Sequence, residues 1–200
     1  LNGLYLEGEH LSKIEAELDE KQIAYVAKRI EQIRQEYLQN MNVYHAVIPD
    51  KHYFLGASGG YPTMDYDKLM TVFGETLPEI EGINLFDALE IEDYYFTDPH
   101  LKQEALESLI SELSEHMDFD YKPMDQYDVY SYGDFYGAYA GQIGLSVPPD
   151  RLNYLMDDVL KSIQVYDVEK DAFFPIYQTV SDLSMDAYSL YLGGPSAIQV

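Results

Sequence analysis

Residues 94–101 read Tyr-Tyr-Phe-Thr-Asp-Pro-His-Leu, and this stretch predicts more of the fold than any other part of the chain. The aromatic run predicts a short strand. Asp98 followed by Pro99 is typical of a helix start, with Asp as the cap and Pro at the first helical position. Apolar residues then recur three and four apart, as on one helix face, at Leu106, Leu109, Ile110, Leu113 and Met117. The stretch therefore predicts a strand-to-helix turn, with a helix beginning near Pro99.

The same turn places Asp98 two residues before His100, and these are two of the three residue types of a hydrolase triad. In a triad the Asp orients the imidazole and the His acts as general base. A capping Asp and an incidental His explain the same residues without chemistry, and short motifs often match by chance. No nucleophile is obvious. The segment 56–60 matches the letters of G-x-S-x-G around Ser58, but no clear helix follows, so a flexible loop is the default.

The composition excludes several classes of function. The chain has 12 basic and 36 acidic residues and a net charge of −24, which repels nucleic-acid phosphates and disfavours anionic membranes. An apolar content of 46%, with 20 Tyr and 8 Phe, indicates a sizeable core rather than disorder. The absence of cysteine rules out disulfides, thiol catalysis and cysteine-ligated zinc. No stretch approaches the ~18 apolar residues of a membrane helix.

Hydrophobic periodicity predicts alternating helices and strands before residue 120. Asp19 and Gln22 form a capping pattern ahead of apolar residues at helical spacing, and a compact apolar run closed by Pro49 suits a buried strand. The predicted elements are a helix at 19–39, a strand at 43–48, a loop at 49–62, a helix at 65–76 and a strand at 83–86. This alternation is the order of an α/β layered core with a mostly parallel sheet.

The character of the sequence changes near residue 121. Tyr and Asp become dense, with a period-two pattern at Tyr127, Val129 and Ser131, and strand candidates at 159–168 and 173–179 flank a charged turn. We interpret 1–120 as the N-terminal part of an α/β core, 121–185 as a β-rich insertion and 186–200 as the return to the core, within a single domain.

The remaining candidate sites are weaker. Lys51 lies just past a predicted strand, at the edge where α/β sheets place ligands, although pairing with a surface acid explains it equally well. His45 sits inside a predicted strand and is interpreted as a packed core residue. The other histidines lack metal-binding spacing, and the acidic pairs at 65/67 and 118/120 lack the calcium-loop pattern. With no glycine-rich phosphate loop after a strand, we predict no metal site and no cofactor.

Several separated motifs together resemble the bacterial DHHW-motif proteins, relatives of the alginate O-acetyltransferases within the SGNH-hydrolase superfamily. The family's Tyr-Tyr-x-Thr-Asp-His-His-Trp is similar to residues 94–101, with Pro99 in place of the middle His and Leu101 in place of Trp. Four further motifs of the family have counterparts here. Residues 49–51 are similar to its Pro-x-Lys-like turn, and residues 134–137 to its Asp-Phe-Tyr-Gly segment. Residues 192–194 are similar to its Leu-Gly-Gly turn, and residues 2–6 to its lead-in. The resemblance covers nearly the whole chain, and the order of the motifs makes it specific.

The resemblance implies an SGNH/flavodoxin-like three-layer α/β/α core, apparently incomplete at the C-terminus, on an extracellular or cell-surface protein. It also implies that Asp98 orients His100, and that His100 activates a serine outside this chain. The serine would carry an acyl group to a carbohydrate hydroxyl or to water. We assign Lys51, Tyr95 and Thr97 as candidate substrate-binding residues.

The leading expectation is therefore a carbohydrate esterase or O-acetyltransferase domain. Its partner is a carbohydrate or cell-envelope polysaccharide, and it is held at a membrane only through an anchor absent from this chain. The rival is a non-catalytic glycan-binding or interaction module with an acidic, tyrosine-rich face. A cleft holding His100 beside a serine favours the enzyme, whereas Asp98 capping a helix with His100 in solvent favours the rival.

Overall fold

The computed structural model describes residues 2–144, 146–178 and 187–192. The chain divides into two compact units: residues 2–93 with 108–121, and residues 94–107 with the described residues from 122 onward. Within these described ranges, none of the helices combines the length and the apolar character that crossing a membrane requires.

The first unit begins with a hairpin and contains four helices. Strands β1 (Leu4–Glu7) and β2 (His10–Lys13) pair antiparallel, and Gly8 adopts the positive φ of +57° that their tight turn requires. The helices are α1 (Glu20–Tyr37), α2 (Lys51–Leu55), α3 (Tyr66–Thr76) and α4 (Glu107–Met117), the last starting at the unit boundary. Strands β3 (Tyr44–Ala46) and β4 (Glu81–Ile83) pair in parallel.

A small core holds α1 against α3 in this unit. Ala27, Leu77 and Ile80 are almost completely buried, and Phe73 packs beside them. Both helices start at an Asp whose carboxylate accepts backbone N–H groups, Asp19 for α1 and Asp65 for α3. Both predicted helices are confirmed. The cap of α1 at Asp19 agrees with the sequence prediction, whereas the cap of α3 at Asp65 is revealed only by the structure.

The second unit is built around a long hairpin. Strands β5 (Asp128–Phe135) and β6 (Asp150–Met156) pair antiparallel, with a register shift between Ser131 and Gly133. The short helices α5 (Ala140–Ile143) and α6 (Asp158–Ser162) and a second hairpin, β7 (Gln164–Asp167) with β8 (Ala172–Pro175), complete it. Its core is an aromatic-rich cluster of buried residues: Tyr95, Phe135, Leu152, Tyr177 and Leu190.

The prediction of a three-layer SGNH/flavodoxin-like core is wrong. The described residues form four two-stranded sheets, and only β3 with β4 is parallel. A layered parallel core needs several adjacent strands with helices on both faces, whereas the other three pairs are antiparallel. The strand predicted at 94–96 contributes only an isolated bridge from Tyr94 to Leu101. The structure is instead a mixed arrangement of small sheets and helices.

Two local predictions also change, and a third is confirmed. The predicted loop at 49–62 contains α2, because the Asp50 carboxylate accepts the N–H groups of His52 and Tyr53 and starts a helix there. The predicted strand at 159–168 is divided into α6 and β7. The predicted strand at 127–131 is confirmed as part of β5. Thr179, the Gly193-Gly194 pair and most of the predicted return to the core lie outside the described residues.

Removing the cap of α1 should weaken the first unit. The Asp19 carboxylate accepts the N–H groups of Lys21 and Gln22 at 3.0 Å each, so Asp19→Ala should lower the free energy of unfolding by about 1 kcal/mol. Asp19→Asn keeps an acceptor oxygen and should lose about half of that or less. Urea denaturation followed by far-UV circular dichroism measures both. Equal losses would mean that the charge, rather than the hydrogen bonds, stabilises the helix end.

Candidate functional site

Residues 94–101 form a tight reversal rather than the start of a helix. The Tyr95 N–H donates to the His100 carbonyl at 3.1 Å, and Tyr94 bridges to Leu101. The chain therefore turns back on itself, and Asp98 and His100 lie at the tip of the turn. The prediction of a helix beginning near Pro99 is wrong, because α4 begins at Glu107.

Asp98 and His100 form a carboxylate–imidazole pair at this tip. His100 Nδ1 lies 2.5 Å from Asp98 Oδ1, and the same oxygen accepts the His100 backbone N–H at 3.0 Å. An ionised carboxylate only accepts hydrogen bonds, so Nδ1 carries the proton of a neutral His100. The Asp98 side chain is 5% exposed and that of His100 is 54% exposed. A buried acid thus orients a solvent-accessible imidazole.

The second carboxylate oxygen of Asp98 is held by the segment that follows β5. Oδ2 accepts the Ala138 N–H at 2.8 Å. A Cβ on Gly137 would lie 2.3 Å from the Asp98 Cβ and 2.6 Å from Oδ2, so only glycine permits this approach of the backbone. The two motifs at 94–101 and 134–137 therefore meet in the folded unit.

Hydrogen bonds keep Asp98 ionised despite its burial. Burial by itself would raise the pKa of the carboxyl, but bonds from the His100 imidazole and from the Ala138 and His100 N–H groups lower the pKa of Asp98 below its ordinary value of 3.8. The carboxylate therefore remains negative beside His100 at neutral pH and favours the imidazolium form that general-base catalysis generates.

Thr97 precedes Asp98 in the turn, and hydrogen bonds to the Asp150 carboxylate fix its position. Asp150, at the start of β6, accepts the Phe96 N–H at 2.6 Å and both the N–H and the hydroxyl of Thr97, at 2.7 and 2.6 Å. Thr97 is fully buried. Its hydroxyl oxygen also accepts the Gly137 N–H at 2.8 Å.

Aromatic side chains line the same region. The Tyr188 ring stacks on the His100 imidazole, with 4.2 Å between centroids and 17° between planes. Tyr95 is fully buried, edge-on to Phe135 at 5.1 Å, and burial raises the pKa of its phenol far above the ordinary value. Tyr95 is therefore a neutral packing residue at neutral pH, and Tyr188 fixes one face of the imidazole.

The predicted site residues fall in both units. Asp98, His100, Tyr95 and Thr97 belong to the second unit, and Lys51 belongs to the first. Lys51 is the first residue of α2 and is 2% exposed. The structure thus brings four of the five together, and their assignment to substrate stays a prediction.

The other candidates have structural explanations. Ser58 follows a helix rather than a strand, and its hydroxyl donates to the Leu55 carbonyl at 3.0 Å, so its surroundings are not those of a nucleophile elbow. His45 lies in β3, where burial lowers its pKa. Asp65 is the cap of α3. No group of three or more potential metal ligands occurs in the described part of the chain.

Sequence reasoning missed three components of the site. The run Pro148-Pro149-Asp150 predicts only a turn, and no local signal indicates that the Asp150 carboxylate accepts N–H groups from distant residues. Gly137 was recognised as part of a motif, but its contact with Asp98 joins residues about 40 positions apart. Tyr188 had no local signal, because its role depends wholly on where the fold places His100.

Comparison with known proteins finds a similarity of fold. No protein-family model matches the chain, and no curated protein matches it. The fold is similar to the crystal structure of a DHHW family protein from Eubacterium siraeum DSM 15702, with a TM-score of 0.76 and 18% identity, covering 98% of this chain and 69% of that one. This similarity supports the DHHW part of the sequence resemblance. At 18% identity it concerns the fold alone.

Adding a side chain at residue 137 should disrupt the site. In Gly137→Ala the new methyl group would collide with Asp98 and the Thr97 carbonyl, and such overpacking costs about 1–3 kcal/mol. Gly141→Ala is the matched control, because nothing lies within 4 Å of its added Cβ and alanine favours the helical conformation of α5. Urea unfolding should show a loss only for Gly137→Ala. Equal behaviour of the two variants would contradict the close approach.

The charge of Asp98 should stabilise the fold in a pH-dependent manner. Because the folded pKa of Asp98 lies below its unfolded value, its contribution is complete above the unfolded pKa and disappears as the pH falls through the folded pKa. Asp98→Asn should therefore be less stable than the parent protein at about pH 6, and the difference should shrink at about pH 3. Urea unfolding of both proteins across this range is the measurement. A difference that does not change with pH would rule out the charge as its source.

Proposed function

We propose that Asp98 and His100 are the acid–base half of an acyl-transfer site, in a carbohydrate esterase or O-acetyltransferase domain of an exported or cell-surface protein. The reaction needs a serine nucleophile beside His100, and none of the described residues is assigned that role. The relation to alginate O-acetyltransferases suggested by the sequence motifs belongs to this proposal, whereas the three-layer fold does not.

The observation that carries the proposal is the fixed geometry of the pair: Asp98 caps no helix, and its buried carboxylate is held so that it orients an accessible His100. The Asp98 carboxylate is 5% exposed and hydrogen-bonded through both oxygens, while the imidazole that it orients is 54% exposed. A general base needs both a fixed orientation and access to the proton it removes. A purely structural pair needs only the orientation.

The reaction that suits this pair proceeds in two steps. His100 removes the serine hydroxyl proton as the serine oxygen bonds to the acyl carbonyl carbon, and the resulting imidazolium gives that proton to the departing alcohol. The acyl-serine then reacts with a carbohydrate hydroxyl or with water. His100 removes the proton of that acceptor and gives it to the serine oxygen as the bond between the serine and the acyl group breaks. The Asp98 carboxylate stabilises the imidazolium in both steps.

The charge of the second unit favours one class of glycan as the acceptor of the acyl group. The sequence segments of the second unit, 94–107 and 122–200, contain five basic and 14 acidic residues. Such a surface attracts neutral or cationic ligands more readily than polyanions. A neutral or amino-bearing glycan is therefore better suited than a polyuronate.

The alternative is a non-catalytic glycan-binding or interaction module. Two exposed tyrosines of the second unit favour it: Tyr136, next to Gly137, is 62% exposed, and Tyr130 is 45% exposed. Exposed aromatic rings with a polar end are typical contact residues of binding surfaces. Glycan binding that survives the loss of His100, without turnover, would favour this alternative.

The complete natural protein tests the proposal in an assay with a chromogenic acetyl ester, with and without glycan acceptors. His100→Ala should reduce kcat/KM by about 10²–10⁴-fold, the usual contribution of general acid–base catalysis. His116→Ala is the matched control, because His116 also pairs with carboxylates, Glu81 and Glu112, in the first unit. Its activity should be unchanged.

Two outcomes would contradict the proposal. A folded His100→Ala protein with parental activity would exclude the pair from the chemistry. A complete protein that binds glycans but neither hydrolyses the ester nor transfers its acyl group would favour the binding module.

A further inference from the structure

We propose that Asp150 and the Thr97 hydroxyl form a positioning relay that fixes the Asp98 carboxylate and, through it, the proton-bearing nitrogen of His100. Neither relay residue contacts the imidazole in the hydrogen bonds described above, so both are positioning rather than catalytic residues. The consequence for turnover rests on the proposed function of the dyad. The hydrogen-bond geometry of the relay and the NMR test of the His100 tautomer do not depend on the proposed function.

The remote end of the relay is the Asp150 carboxylate. Its Oδ1 accepts the Phe96 N–H at 2.6 Å, and its Oδ2 accepts the Thr97 N–H at 2.7 Å and the Thr97 hydroxyl at 2.6 Å. Charge-assisted hydrogen bonds of this length are stronger than neutral ones. Asp150 therefore fixes the backbone that leads into Asp98 and also sets the direction of the Thr97 hydroxyl.

The direction of each hydrogen bond in the relay follows from the groups involved. The Gly137 N–H can only donate, so the Thr97 oxygen accepts it, at 2.8 Å. The ionised Asp150 carboxylate can only accept, so the single Thr97 proton is donated to it. Every polar atom of the Thr97 hydroxyl is thus used, and reversing either bond would leave a buried group unsatisfied.

The relay reaches Asp98 through three consecutive backbone N–H groups. The Gly137 N–H donates to the Thr97 hydroxyl at 2.8 Å. The Ala138 N–H donates to Asp98 Oδ2 at 2.8 Å, and the Tyr139 N–H donates to the Thr97 carbonyl at 3.0 Å. Because these groups belong to one short segment, moving the first displaces the second. Asp98 Oδ2 is held by that second group, which directs Oδ1 to His100 Nδ1.

The relay predicts which imidazole nitrogen carries the proton. With Asp98 fixed, neutral His100 should be the Nδ1–H tautomer. In Thr97→Val the Gly137 N–H loses its acceptor and Asp150 loses a donor in a buried site, so Asp98 should lose its fixed orientation. His100 should then shift towards a mixture containing the Nε2–H tautomer. Thr97→Ser keeps the hydroxyl and should keep the parental tautomer.

Long-range ¹H–¹⁵N NMR of protein labelled at histidine measures the tautomer, at a pH where the ring is neutral and with His100→Ala to assign the signals. The control for general loosening is Tyr177→Phe, which removes another buried hydroxyl of the second unit, hydrogen-bonded to Gln103. The relay predicts a shift in Thr97→Val and in Asp150→Asn, and none in Thr97→Ser or Tyr177→Phe. If Thr97→Val does not fold, Asp150→Asn gives the same comparison.

Two results would overturn the relay. One is a folded Thr97→Val or Asp150→Asn protein with the parental tautomer. The other is an equal shift in Tyr177→Phe, which would show only a loosened unit.

Turnover by the complete protein separates this inference from the proposed function. If both hold, Thr97→Val should lose about tenfold or more in kcat with little change in KM, because a misplaced base costs rate rather than binding. If the tautomer shifts in Thr97→Val but the parental protein does not turn over the ester, the relay is supported and the catalytic role is contradicted. Full activity and an unshifted tautomer in Thr97→Val retain the catalytic role and reject the relay.

Discussion

The second unit depends on how the Asp98 carboxylate is satisfied in a buried position. A buried carboxylate is costly unless its lone pairs are engaged, and here His100 engages one oxygen while the Ala138 N–H engages the other. These bonds join a turn near the middle of the chain to the segment after β5. The close approach that joins them leaves no space for a side chain on Gly137. One ionised group therefore sets the path of two distant segments.

The same interaction explains why the chain turns at Asp98 instead of entering a helix. A capping Asp accepts N–H groups from the first helical turn. Asp98 begins in that manner, with the His100 N–H at 3.0 Å. The imidazole and Ala138 then occupy its remaining acceptor positions, and the Tyr95 N–H closes the turn on the His100 carbonyl. Side-chain hydrogen bonds and turn closure thus replace the first helical turn, and α4 begins only at Glu107.

The sequence predicts correctly those elements that are determined by residues close together in the chain. The cap at Asp19 and the periodic apolar face behind it specify α1 from neighbouring residues alone. The prediction also places α3 correctly, but it does not identify Asp65 as its cap. The strands were harder, because β3 and β4 have three residues each and such runs carry little periodicity. The Asp98–His100 pair was found from its spacing. Asp150 was not, because it acts on residues more than 50 positions earlier.

Residue type and pairing alone do not distinguish His100, since His116 is also paired with carboxylates in the described part of the chain. His116 contacts Glu81 at 2.8 Å and Glu112 at 3.2 Å, and the hydrogen bond that it donates to Glu81 is the main cause of the raised pKa of His116. Both of its ring nitrogens face acids, and Glu81 is 57% exposed, so water screens the pair. The partner of His100 is instead buried and fixed by backbone N–H groups. That difference in the carboxylate, rather than in the imidazole, supports the assignment of chemistry to His100.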